Sequence, residues 1–441
     1  MTEAYAAMSI SVWFCLFMTL SLFVYGISRC RCLMIKPSMV FALFFHVQIQ
    51  WPSAFYWSRI AQNLTNPFAY FVLSQVFPLL LILGSLFIGR GLSGEIFTRV
   101  IELPRSSYPV ALLILGPLML VSLLIMGWYL HSVPWEKTGL YAVIYHPEQA
   151  KMAREYSLKL LTSKYLKYAV SVFNSSFAPI MACLLAVISR ERWLKGDKIQ
   201  SLLYLSALIP IIVAVSLSGA RGPGAMILLA VLFLTLLLQG LPLQPLRIAI
   251  IAALILILPG LIELLRSGGV FRPDEIAARY AVIVERVVGY GMTVDAQWHI
   301  EYATKFGYWG IAGIEKLAPL FGVQPIDIMN VVGRAYTDTS QTTHISANAS
   351  MIFLYYACFG WWAVPLCLIL AWSLDTVLPL YRRMRTIMLP VAIAACGIAA
   401  VYLAHTAYTT IFITHGFLVV LMICLLGDRV IWRLRPEPLS R

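Results

Sequence analysis

Eleven apolar runs constrain this chain more than anything else in it, because each is long enough to cross about 30 Å of hydrocarbon as a helix of roughly 20 residues. They lie at about residues 8–28, 39–58, 68–89, 109–131, 168–189, 200–218, 224–240, 247–265, 346–371, 386–404 and 408–426. With 60% hydrophobic residues, 12% charged residues and a mean hydropathy of +0.82 over 441 residues, the chain has more apolar surface than a water-soluble protein can cover. The expected fold is an all-α polytopic membrane protein forming a single integral membrane domain, residues 1–441. The run at 39–58 fits this pattern least well, with His46, Gln48 and Gln50 in its middle and Pro52 soon after. The first run has no cleavable small-residue pattern after it and is followed by a basic cluster, so it reads as a retained span rather than a signal peptide.

The short loops set the orientation. Arg29, Arg31 and Lys36; Arg90, Arg99 and Arg105; Arg190, Arg192, Lys195 and Lys198; Arg247; Arg382, Arg383 and Arg385; and Arg429, Arg433 and Arg435 all fall on one side if eleven helices alternate. The positive-inside bias makes that side cytoplasmic. The N-terminus, the 132–167 loop, the 219–223 turn and the 267–345 loop then face outward.

A formal net charge of +13 would point to nucleic acid in a soluble protein. Here about half of the basic residues flank cytoplasmic helix ends, where the insertion bias alone accounts for them, and nucleic acid is not an expected partner. The eight cysteines form no disulfide framework. Cys15, Cys183, Cys358, Cys367, Cys396 and Cys424 sit in apolar spans as small hydrophobes, and Cys30 and Cys32 fall on the cytoplasmic side.

The informative charges are the outward ones, since basic residues held where topology disfavours them commonly bind anions. In the first outer loop, PEQAKMAREYSLKLLTSKYLKY opens with Pro147 and Glu148 and places Met152, Tyr156, Leu160 and Leu161 at helical spacing. It predicts an amphipathic helix at the outer interface. Its lysines suit lipid headgroups, whereas Arg154 offers the planar fork that binds phosphate bidentately. Between the sixth and seventh runs, SLSGARGPG forces a tight turn whose backbone N–H groups can form a concave anion site, with Arg221 at its tip.

The second outer loop sets Arg272, Arg279 and Arg286 seven residues apart. On a helix this repeats one face at about 10.5 Å per step, enough to span a diphosphate and its neighbours. Pro273, Asp274 and Glu275 make a helix start, and the helix is expected to run past Arg286 to the Gly289 and Gly291 pair. Glu275 can pair with Arg279, but an exposed i, i+4 pair contributes only about 0.3–0.5 kcal/mol and would yield to a strongly charged ligand. Further on, TDTSQTTHISANAS brings Thr342, Thr343, His344 and Asn348 to the membrane mouth, with His344 and Asn348 one turn apart if the next helix already includes them.

At these residues the chain resembles the O-antigen polymerases of the Wzy family and, more distantly, the O-antigen ligases. SANASMIFLYYACFGWWAV, with Asn348 and Gly360, is similar to the family's span after its large periplasmic loop. RYAVIVERVVG, with Arg279 and Gly289, resembles the arginine and glycine element of that loop, and KMAREYS, with Arg154, the basic element of the earlier one. The turn at Arg221 also has a counterpart. The likeness covers roughly residues 139–195 and 215–365.

The resemblance implies a multi-pass protein of the bacterial inner membrane with about eleven spans, like the C-type (GT-C) glycosyltransferases, and an active site facing the periplasm. The implied reaction passes a growing glycan from undecaprenyl diphosphate to an incoming lipid-linked repeat unit. Implied partners are undecaprenyl-diphosphate-linked glycans, membrane lipids and a polysaccharide chain-length regulator. The chain has no Asp-x-Asp metal motif, and no cofactor is expected, because fixed arginines can neutralise the leaving diphosphate. Arg279 and Arg286 are the expected catalytic clamps, with Arg221 and Arg272 binding phosphate beside them and Arg154 holding the second lipid or its sugar. His344, Glu285 or Asp295 would deprotonate the acceptor hydroxyl, and Asn348 would contact substrate. Tyr280, Trp298, Tyr302, Tyr308 and Trp309 would either stack on sugars or form an interfacial belt. A ligase or a lipid-linked oligosaccharide flippase are the alternatives.

Overall fold

The structure is a computed structural model and describes residues 2–26, 35–102, 108–146, 153, 156–157, 159–219, 222–239, 290–336 and 347–434. Among them the regular elements are all helices, with no strand. Eight helices are long and apolar enough to cross a membrane: Met8–Tyr25, Pro67–Phe87, Ala111–Ser132, Lys164–Leu194, Lys198–Ser216, Gly222–Gln239, Met351–Arg383 and Tyr408–Arg433. Met388–Ala404 is a shorter apolar helix. The protein is an all-α, multi-pass membrane protein. The apolar run at 247–265 lies outside the described residues.

Helix starts follow side-chain chemistry. Asn66 accepts a hydrogen bond from the Ala69 N–H at 3.0 Å just ahead of Pro67, and Asp197 does the same for Gln200 at 3.2 Å. Ser163 caps Leu166 at 3.4 Å. Each cap satisfies one of the N–H groups that a helix leaves open at its first turn.

The Ser163 cap corrects an expectation. The first outer loop does not run as one amphipathic helix through Tyr168, because residues 161–163 are not helical and Lys164 opens the next span. A serine hydroxyl competes for backbone N–H groups and favours a new start over continuation. Leu161 is buried and Tyr156 is exposed, so the apolar residues of this segment do not share one buried face.

The described residues form two compact units. One comprises those within 1–94, 272–377 and 400–411, the other those within 95–271, 378–399 and 412–441.

In the first unit the run at 39–58 is helical over residues 37–55, with a wide π turn at His46–Gln50. A second π turn, Val72–Val76, interrupts Pro67–Phe87. A π turn frees a backbone carbonyl from the regular ladder, and here two glutamines meet that need reciprocally. The Gln50 amide donates to the Gln75 carbonyl at 3.2 Å, and the Gln75 amide donates to the Gln50 carbonyl at 3.1 Å. Gln50 also donates to Thr19 at 3.0 Å and accepts from His46 Nδ1 at 2.7 Å. The polar residues that make this run look least like a span are therefore what joins three helices inside it. Gln50→Leu removes three of these side-chain bonds. At about 0.6 kcal/mol each in a membrane bundle, the expected loss is roughly 2 kcal/mol, read as a lower unfolding temperature in detergent. An unchanged transition would rule the clamp out as a stabilising element.

Lys36 does more than bias orientation. It is fully buried, and its ammonium caps the end of Pro67–Phe87 by donating to the carbonyls of Ser85, at 2.6 Å, and Ile88. Cations favour this helix end because its last carbonyls lack partners. Asp375 accepts from the Ser38 N–H at 3.0 Å and its hydroxyl at 2.6 Å, satisfying the opening turn of Pro37–Phe45.

In the second unit, Asp428 accepts from the N–H groups of Arg385 and Thr386 at 2.9 and 2.8 Å, and Arg382 pairs with Glu95 at 3.1 Å. The glycine turn after Lys198–Ser216 meets the segment following Ala111–Ser132 here. Gly219 has φ +76°, and a Cβ on Gly139 would lie 2.1 Å from the Ser218 carbonyl oxygen, so only glycine permits this approach. Leu140 N–H donates to Leu217 at 3.1 Å across it.

Candidate functional site

The described part of the 267–345 segment begins with the helix Tyr290–Phe306, which packs against Met351–Phe359, Ile328–Tyr336 and the helix at 37–55. Thr293, Ala296, His299, Ile300 and Ala303 are buried on it at helical spacing, so this segment belongs to the core of its unit. Gly291, read from the sequence as a helix end, instead lies in the first turn of this helix. Small and β-branched residues on the inner face let the helix approach its neighbours closely, and that proximity brings Asp295 to the segment 347–350.

Asp295 and Asn348 meet. The Asn348 backbone N–H donates to the Asp295 carboxylate, while Asn348 itself is exposed and Asp295 half-buried. Asn348 stands ahead of its helix, because Met351–Phe359 opens only after Ser350. The condition under which His344 and Asn348 would stand one turn apart, a helix that already includes both, is not met at Asn348. In this non-helical stretch the N–H is directed at the carboxylate and not into a helix. Residue 347 is held in turn by an N–H bond to the Met329 carbonyl at 3.0 Å.

Burial pushes the Asp295 carboxyl up to about 7, the Asn348 N–H only partly opposing it. Desolvation disfavours the charged form and one hydrogen bond restores part of that loss. One turn along the helix, His299 is fully buried, and its Nδ1–H donates to the Asp295 backbone carbonyl at 2.8 Å. Burial holds its imidazole down at about 4, so it is neutral at pH 7. Its Nε2 has no hydrogen-bond partner among the described residues. His299 thereby braces the helical turn that carries Asp295.

The rest of the helix is tied to its surroundings. Glu301 accepts from the Thr65 N–H at 2.5 Å and from its hydroxyl, joining the helix to the loop before Pro67. Thr293 bonds the Tyr70 hydroxyl, which also meets Ser53 at 2.7 Å. Trp298 stacks on Tyr336 with centroids 5.8 Å apart and planes 8° from parallel. Tyr302, nearly buried, stacks on Trp309 at 5.9 Å, so these two rings serve packing. Tyr308 is exposed and covers Gly360, where φ is +59° and a Cβ would come 2.7 Å from the tyrosine ring. That glycine ends Met351–Phe359.

Of the residues singled out in the sequence, the structure brings together Asp295 and Asn348. Arg154, Arg221, Arg272, Arg279, Tyr280, Glu285, Arg286 and His344 lie outside the described residues. The sequence reading missed His299, Thr293 and Glu301. The spacing of Asp295 and His299, four apart in TVDAQWHIEYATK, was the available signal, since it places both on one helix face. Among the described residues no three His, Cys, Asp or Glu side chains converge as a metal site.

No protein-family model, no curated protein and no solved structure matches the chain.

Proposed function

We propose that the chain is an O-antigen polymerase of the Wzy type, joining undecaprenyl-diphosphate-linked repeat units at the periplasmic face of a bacterial inner membrane. The eleven-span, C-type glycosyltransferase architecture and the metal-independent chemistry belong to this reading. The observation that carries it is Asp295: a half-buried carboxylate raised to about 7, in the same outer loop as the arginine strip and beside an exposed asparagine. A base whose pKa lies near the working pH is present in its proton-accepting form and still basic enough to remove a proton.

In the proposed step the Asp295 carboxylate takes the proton of the acceptor hydroxyl. The acceptor oxygen forms a bond to the anomeric carbon of the donor glycan. The bond from that carbon to the diphosphate oxygen breaks, and undecaprenyl diphosphate leaves with the electron pair. Arg279 and Arg286 meet its charge, and Arg221 and Arg272 hold its outer phosphate. Arg154 keeps the second lipid in place.

The test is reconstitution of the purified protein in liposomes with lipid-linked repeat units as the sole substrate. A ladder of longer glycans is the expected product. Extension that appears only when a lipid A core acceptor is added would make the protein a ligase. Transbilayer movement of lipid-linked glycan without extension would make it a flippase.

A further inference from the structure

The helices Lys164–Leu194, Lys198–Ser216 and Gly222–Gln239 line a cavity of about 330 Å³ that is open on one side. It lies at the end of these helices that carries Arg190, Arg192, Lys195 and Lys198, which the positive-inside bias assigns to the cytoplasmic face. Its lining changes along its length. Arg190, Trp193, Ser201 and Gln239 line the end nearest the helix termini, and Leu205, Val231 and Leu234 line the deeper part. From Val231 to Gln239 the helical rise amounts to about 12 Å, so the lining passes from the helix ends toward the middle of these apolar helices.

Charge selects the occupant. Arg190 is half-buried and donates to the Leu238 carbonyl at 3.4 Å, which uses one of the five N–H donors of a guanidinium. Nearby carboxylates are committed elsewhere: Glu191 pairs with Lys195 at 2.5 Å and Asp197 caps Gln200. The hydroxyls of Ser189 and Thr235 are spent on the Ser201 and Val231 carbonyls at 2.9 and 2.7 Å. One cation thus faces the cavity without a carboxylate partner among the described residues. Trp193 is exposed at the rim with Lys198 5.7 Å from its ring, the level at which tryptophan meets lipid headgroups. At ~30 Å³ per water, the volume admits a headgroup and the start of one chain but not a whole lipid. The remaining chain has a path outward over Leu202 and Ile209, both strongly exposed.

We propose that this cavity binds an anionic phospholipid of the cytoplasmic leaflet, its phosphate on Arg190 and one acyl chain along Leu205, Val231 and Leu234. Basic pockets between spans on this face are suited to such lipids. A zwitterionic lipid presents the same phosphate but adds an ammonium for which the lining supplies no carboxylate.

The experiment is native mass spectrometry of the delipidated, full-length protein in mild detergent with equal amounts of phosphatidylglycerol and phosphatidylcholine of matched chains. Wild-type protein should retain phosphatidylglycerol about tenfold over phosphatidylcholine, the cost of bringing the choline ammonium beside the Arg190 guanidinium with no carboxylate to offset it. Arg190→Gln should bring the ratio to near unity, Leu234→Trp should lower retention of both lipids by filling the cavity, and Arg192→Gln should leave the ratio unchanged. Equal retention of the two lipids by wild type, or an unchanged ratio in Arg190→Gln, overturns the proposal. Should Arg190→Gln fail to fold, brominated lipids decide: brominated phosphatidylglycerol must quench wild type more than Trp193→Phe, and equal quenching overturns the site. None of these measurements depends on glycan extension.

Discussion

Replacing Asp295 by Asn is expected to lower the rate of glycan extension by roughly 10²–10⁴-fold, the contribution of a positioned general base, while leaving the protein folded. The asparagine oxygen still accepts the Asn348 N–H, so the local geometry survives. Stability should not fall, for a reason set by the direction of the pKa shift. The folded carboxyl is raised to about 7 from 3.8, so between those values the native state holds more protons than the unfolded chain, and its contribution to stability declines as pH rises through about 7. At pH 8 the wild-type fold carries the cost of an ionised, half-buried carboxylate, and the asparagine variant does not. Wild-type extension should in contrast rise with pH, with its midpoint near pH 7, because the ionised form is the base. A purified Asp295→Asn protein that extends glycans at the wild-type rate removes Asp295 from the chemistry. A pH profile that is flat from 6 to 8 would argue the same.

Arg279→Ala should abolish long glycan chains. Loss of one preorganised donor to a developing anion costs about 3–4 kcal/mol, or 10²–10³ in rate. Arg279→Lys should restore little, because an ammonium cannot make the paired bonds of a planar fork to phosphate. Glycan length on gels has to be read beside protein abundance in the membrane. A loss of chains matched by an equal loss of protein is a folding effect and sinks the assigned role, as does full activity in the lysine variant.

The elements legible in the sequence were those whose cause is local. The long apolar runs announce their helices through composition contained within each run, and the caps at Asn66 and Asp197 that the structure adds are equally local. The polar interior of the run at 39–58 was visible, but its meaning was not, since Gln50 finds Thr19 and Gln75 only when three helices have packed. Lys36 is the same kind of case: from sequence it is one of a topogenic cluster, and in the fold it is a buried cap on a helix whose end lies far along the chain.

The candidate site divides in the same way. Asp295 and Asn348 stood out by residue type, but their contact depends on Tyr290–Phe306 packing against Met351–Phe359. For His299 the sequence offers only its spacing from Asp295, because burial, not sequence, makes that imidazole neutral.

By itself the sequence determined that this is an all-helical protein of the membrane, because hydrocarbon demands long apolar segments with their backbone bonds satisfied internally. Only the tertiary structure decided which polar groups are buried, and burial is what lifts the Asp295 carboxyl toward neutrality and keeps the His299 imidazole uncharged. Desolvation depends on every chain segment that packs around a group, and no stretch of sequence contains that information alone.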